Sequence, residues 1–155
     1  MQFYNYLRPT YVYSLKTINF QRIIRTLMDI VTRKQLNILI QLAEADKHFS
    51  VLERDRIYEI AAKRNFPIEG VKELIQNPEP IGSFGALSSD QKFDYLYSCI
   101  DLMLIDEKIF DSELIFCIDI AIKLGFKKDV VPFLKDEIHS YPMATLKQIV
   151  FDRYT

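Results

Sequence analysis

Four carboxylates draw attention because they recur at one spacing. Asp46 and Glu53 lie seven residues apart, and the pair returns 60 residues later as Asp106 and Glu113. Carboxylate oxygens are the ligands preferred by hard divalent cations such as Ca²⁺ and Mg²⁺, which take about six to eight of them. A fold that brings the two pairs together could hold one such ion, or two half-sites, and a divalent cation is the only cofactor these residues suggest. Asp46 and Asp106 also fall near the ends of helical patterns, where the macrodipole disfavours negative charge by about 0.3–1 kcal/mol. The seven-residue spacing echoes positions 5 and 12 of an EF-hand loop. Position 1 would then be Leu42 or Leu102, and the position-6 glycine is replaced by Lys47 or Glu107, so an EF-hand is excluded.

The same acids have a structural explanation, and it leads. Ser50 followed by Glu53 forms a capping box, in which serine and glutamate each satisfy a free backbone amide at a helix start. Asp46 and Asp106 can fold back onto amides of the following loop, as aspartate does in turns. Other chemistry is thinner. His48 and His139 have no His or Cys at ligand spacing, which argues against zinc. There is no phosphate-binding glycine loop, dinucleotide fingerprint or nucleophile elbow. Cys99 and Cys117 align with Leu39 and Ile57 under the 60-residue shift and read as core thiols, not nucleophiles. No enzyme is expected.

Composition sets the outer limits. The 155 residues are 49% apolar with only four glycines and six prolines, which excludes a disordered chain and suits one domain with its own core. Twenty basic against 21 acidic residues give a charge of −1, which argues against a nucleic-acid partner. No apolar run approaches the roughly 18 residues of a membrane-spanning helix. Free thiols fit a reducing, cytoplasmic location. Residues 1–27 read as an aromatic N-terminal arm (Phe3, Tyr4, Tyr6, Tyr11, Tyr13) or as sequence upstream of a start at Met28, and residues 28–155 as the domain.

Sliding the chain by 60 residues aligns Leu36–Phe66 with Leu96–Phe126 without a gap, and nine of the 31 positions are identical. Val71 and Leu74 then fall opposite Val131 and Leu134. The reading is an internal duplication of a three-helix unit, with repeats at about 36–76 and 96–138, in an all-α bundle. Within the first, Leu36, Leu39, Ile40 and Ala43 make one apolar stripe, and Ile57, Ile60 and Ala61 line the next helix. That helix should stop at Asn65 and its counterpart at Gly125, the two residue types that best tolerate the left-handed conformation, each followed by a phenylalanine. Pro67 and Pro132 should lie in the first turns of short third helices, the latter ending near His139. Asn77–Ser89 reads as a linker closed by a Ser88–Gln91 capping box, and Met143–Asp152 as a last helix. In the second unit Phe110 replaces the capping serine, so the cap is expected to shift to Asp111 or Ser112. The N-terminal tyrosines and Phe84 have no evident buried place and either pack onto the bundle or serve an interface.

The run Leu42-Ala43-Glu44-Ala45-Asp46-Lys47-His48-Phe49-Ser50-Val51-Leu52-Glu53 resembles the A-D-G-x-x-S-x-x-E segment of TerB-like domains. Ile60-Ala61-Ala62 through Asn65-Phe66, and Ile120-Ala121 through Gly125-Phe126, are similar to that family's I-A-x-x-L-G-L helix ending. The likeness runs from about Leu36 to Ile138. It implies a duplicated all-helical bundle, a cytoplasmic protein linked to stress response such as tellurite resistance, and acidic residues that bind metal: here Asp46, Glu53, Asp106 and Glu113. Lys47 and Glu107 stand where the family has glycine, which weakens the case for a tight turn behind each aspartate. The expected function is a non-enzymatic module that binds a protein partner, with divalent metal binding or sensing as the alternative.

Overall fold

In the computed structural model, which describes residues 10–106 and 108–155, the helical periodicity is realised as seven helices. They are α1 (Thr10–Ala43), α2 (Val51–Lys63), α3 (Ile68–Gln76), α4 (Ser89–Met103), α5 (Asp111–Leu124), α6 (Val130–Glu137) and α7 (Met143–Arg153). No strand occurs among the described residues, and no helix there is long and apolar enough to cross a membrane. The chain divides into two units at Val31/Thr32. The described part of the first belongs to α1, where Ile23 and Ile30 are exposed. The aromatic residues Phe3, Tyr4 and Tyr6 lie outside the described residues, as do the side chains of Tyr11 and Tyr13.

The second unit, Thr32–Thr155, holds the core. Leu36, Leu39, Ile40 and Ala43 are buried along α1, with Ile57 and Ala61 from α2 and Val71 and Leu74 from α3. Sixty residues on, Leu96, Cys99, Ile100, Met103, Cys117, Ala121, Val131 and Leu134 are buried too. Cys99 and Cys117 are free thiols, as their alignment with Leu39 and Ile57 anticipated. α7 adds Leu146 and Val150, and Tyr154 at its end accepts from the Lys127 amide at 2.7 Å.

Helix ends follow local chemistry. Asn65 has φ 53° and Gly125 φ 92°, both left-handed. Behind them the Phe66 amide donates to Ala61 O and the Phe126 amide to Ala121 O, each at 2.9 Å, the closing bond of a Schellman motif. Phe66 folds over the start of α3, so that a Cβ on Gly70 would meet its ring at 2.7 Å. Pro67 is the N-cap of α3, and Pro132 sits in the first turn of α6, which ends two residues before His139. The Ser88–Gln91 capping box forms as expected. The other expected cap does not shift to Asp111 or Ser112: Phe110 is the N-cap of α5, and Glu113 still reaches back to its amide at 2.9 Å. The glutamate's half of the box survives the loss of serine because it needs only a backbone donor.

The linker is tied down by side chains of α1. Asn37 Nδ2 donates to Glu79 O and accepts from the Glu79 amide through Oδ1, both at 2.8 Å, while Gln41 Nε2 donates to the same carbonyl at 2.7 Å. Arg33 holds the Glu79 carboxylate at 2.7 Å. Phe84 is buried, contrary to its unplaced appearance in the sequence: it meets Tyr95 edge-on at 6.3 Å, with Lys34 over its face.

Two substitutions check this account in urea denaturation. Gly125→Ala costs about 1–2 kcal/mol because alanine resists the left-handed conformation, whereas Asn65→Gly is neutral or stabilising by up to about 1 kcal/mol. Asn37→Ala leaves the Glu79 amide without its side-chain acceptor and costs about 1–3 kcal/mol.

Candidate functional site

The four acids lie in two loops and in the first turns of the helices that follow, and both places close in the same way. α1 ends at Ala43 and α4 at Met103, and each chain then turns through an aspartate into the next helix. Asp46 Oδ1 accepts from the His48 amide at 2.7 Å, and Asp106 Oδ1 from the Lys108 amide at 3.1 Å. Lys47 takes φ 65°, so a left-handed residue follows Asp46 even without the glycine whose absence weakened the case for a tight turn; Glu107 lies outside the described residues. Glu53 Oε2 accepts from the Ser50 amide at 2.8 Å, as Glu113 does from Phe110. Every one of the four carboxylates is therefore bonded to a backbone amide.

The acids nonetheless feel one another. Glu53 and Glu113 are only 3% and 4% exposed. Burial raises the Glu53 carboxyl above its usual range and the negative charges of Asp106 and Asp46 add to this, against hydrogen bonds from Ser50. Glu113 is pushed up to about 7, first by burial, then by Glu53, Asp46 and Asp106, with the bond from Phe110 opposing. Ser50 supplies a hydroxyl that Phe110 cannot, and this is the physical difference between the two glutamates. The sequence-predicted acids thus come within electrostatic range across the two loops. Among the described residues no group of three or more His, Cys, Asp or Glu side chains is arranged to hold a metal ion. A cation here would have to draw carboxylates off amides they already serve.

Two further features escaped the sequence reading. A cavity of about 330 Å³ is lined by Arg56, Asp101, Leu104, Ile105 and His139. Two of its polar residues are paired with each other: Arg56 donates from Nε and Nη2 to Asp101 Oδ2 at 2.9 and 2.6 Å, and from Nη1 to Glu59 at 2.7 Å. The other is the outward side of α5, where Ile115 is 60% and Ile122 55% exposed, next to the exposed Ile109 and Phe110. Its signal was present: α5 reads Leu114, Ile115, Ile118 and Ile122 where α2 has Arg54, Asp55, Tyr58 and Ala62 at the positions 60 earlier. Exposed isoleucines on the solvent side depart from the usual amphipathic pattern, although the exposed Asp119 stands among them.

Compared with protein-family models, with curated proteins and with solved structures, the chain has no match.

The Glu113 environment has a measurable sign. Its carboxyl holds a proton more tightly in the folded than in the unfolded chain, so its contribution is fully favourable below the ordinary glutamate pKa and is lost as pH rises toward about 7. Glu113→Gln keeps an oxygen for the Phe110 amide and removes the charge. In urea denaturation the variant should gain about 1–3 kcal/mol over the parent at pH 8 and nothing at pH 4; an equal gain at both would refute the assignment.

Proposed function

We propose that this chain is a non-enzymatic TerB-like interaction module of the cytoplasm, duplicated from a three-helix unit and linked to stress response through its resemblance. The observation that carries the reading is the apolar side of α5, with Ile115 and Ile122 more than half exposed. Each such side chain left in water forgoes roughly 1–2 kcal/mol that a partner would recover by covering it. The duplication is supported by hydrogen bonds that recur 60 residues apart: Phe66 to Ala61 as Phe126 to Ala121, His48 to Asp46 as Lys108 to Asp106, and Ser50 to Glu53 as Phe110 to Glu113. Buried reduced thiols favour the cytoplasm. In this reading the four acids are scaffold, spent on the helix starts and turns that they bond.

A second reading, divalent-cation binding or sensing by Asp46, Glu53, Asp106 and Glu113, is favoured by the like charges of Glu53, Asp46 and Asp106, which add to burial in raising Glu113. A bound cation would offset those charges. Calorimetric titration with Ca²⁺, Mg²⁺, Mn²⁺ and Zn²⁺ separates the two. The interaction module gives no saturable heat with any ion. Saturable binding abolished by Asp46→Asn with Asp106→Asn would replace it with the cation reading.

A further inference from the structure

We infer that the cleft between α2 and α3 binds a phosphate dianion, as the free ion or as the head of a small organic monoester. This goes beyond the interaction reading above and makes no use of α5. The cleft is a cavity of about 190 Å³, lined by Arg54 and Tyr58 from α2 and by Lys72, Ile75 and Gln76 from α3. Arg54 and Tyr58 are four residues apart, and Ile75 and Gln76 lie three and four residues beyond Lys72. Those spacings keep each set on one side of its helix, so the two sets form facing walls.

Charge names the ligand. The walls carry two cations and two neutral donors, the Tyr58 hydroxyl and the Gln76 amide, and no carboxylate lines the cavity. Neither Arg54 nor Lys72 forms a salt bridge with a described residue, in contrast to Arg56 on the same helix, which Asp101 and Glu59 hold. The acids nearest in sequence, Asp55, Glu69 and Glu73, stay out of the lining, and Glu73 is turned to Arg33. The Arg54 guanidinium lies over the half-buried Phe49 ring, 5.4 Å from its centroid. That contact steadies the planar fork through its flat face and spends none of its N–H donors. A phosphate monoester carries a charge of about −1.5 to −2 near neutral pH and three acceptor oxygens, which matches the two cations and the donors beside them. A carboxylate would leave one cation unmatched.

The helices themselves do not need these side chains. Sixty residues on, Leu114, Ile118 and Pro132 stand at the places of Arg54, Tyr58 and Lys72, and α5 and α6 form without them. The backbone offers little net help, since the start of α2 favours an anion and the end of α3 disfavours one. Affinity therefore rests on the side chains. The space is about six waters' worth, enough for a phosphate head and the first atoms of the group that carries it, set against Ile75 and the Tyr58 ring. A dissociation constant of about 0.1–5 mM is expected for so open and small a site.

Titrating the full isotope-labelled chain with inorganic phosphate, phenyl phosphate and phenyl sulfate, at constant ionic strength and followed by amide NMR shifts, tests this. Phosphate should give saturable shifts centred on Arg54, Tyr58, Lys72 and Gln76. Phenyl sulfate has the shape of phenyl phosphate with a single charge and should bind at least about fivefold more weakly. Lys72→Gln and Arg54→Gln should each weaken phosphate at least about fivefold, whereas Lys123→Gln, the same loss of charge on α5, should change it less than about twofold. All three positions are exposed, and the amide spectrum reports whether each variant is folded; should Arg54→Gln lose its fold with the Phe49 contact, Lys72→Gln decides. Tighter binding of phenyl phosphate identifies an organic monoester as the source, and equal or tighter binding of inorganic phosphate identifies the free ion. The proposal is overturned by shifts that do not saturate below about 20 mM, by phenyl sulfate binding as tightly as phenyl phosphate, or by affinity indifferent to the Arg54 and Lys72 changes. None of these outcomes touches α5, so failure here leaves the interaction module standing.

Discussion

The loops that join α1 to α2 and α4 to α5 depend on a glutamate turned back on the start of its own helix. A helix leaves its first amides without internal partners, and burying them unpaired costs more than a hydrogen bond returns in water. Glu53 and Glu113 meet that need from inside the fold, at the expense of placing two carboxylates where water scarcely reaches them. The strain shows in Glu113, which has the weaker set of donors and the higher pKa. Both loops also begin with an aspartate that gathers the amide two residues on. Two separate backbone requirements thus each place a carboxylate at either loop.

Much of this was legible in the sequence because it is local. Asn65 and Gly125 announce left-handed residues by their type, and Ser50 with Glu53 announces a capping box by its spacing. The all-helical class follows from period alone. What was not legible depends on contacts between distant parts of the chain. Phe84 stands in a loop rich in glycine and proline, and nothing near it in sequence points to the Tyr95 ring that it meets. Phe110 as an N-cap was missed by treating the cap as the property of one side chain, when half of the box belongs to the glutamate three residues later. Lys47 weakens the case for a tight turn when read from the sequence, yet it takes the left-handed conformation itself.

The proximity of the four acids was legible in the sequence and their arrangement was not. Spacing picked out the four acids, and they do come into electrostatic range of one another. Spacing could not say that each carboxylate is already engaged by the backbone. The difference between α2 and α5 is of another kind: it emerges when equivalent positions are compared by exposure as well as by identity. Asp55 is an ordinary surface residue, whereas Ile115 at the matching place needs a reason to face outward. That contrast directs attention away from the shared acids and toward what one stretch has and the other lacks.

The Asn37 clamp on Glu79 bears on how the molecule assembles. Connecting segments between similar folding units are the usual hinges for domain swapping, in which one chain lends an element to its neighbour. Here the hinge segment is stitched to α1 by two amide side chains and an arginine before it reaches α4. Any exchange of the later helices between chains would have to hinge beyond Glu79, because the chain up to that point is bonded to α1.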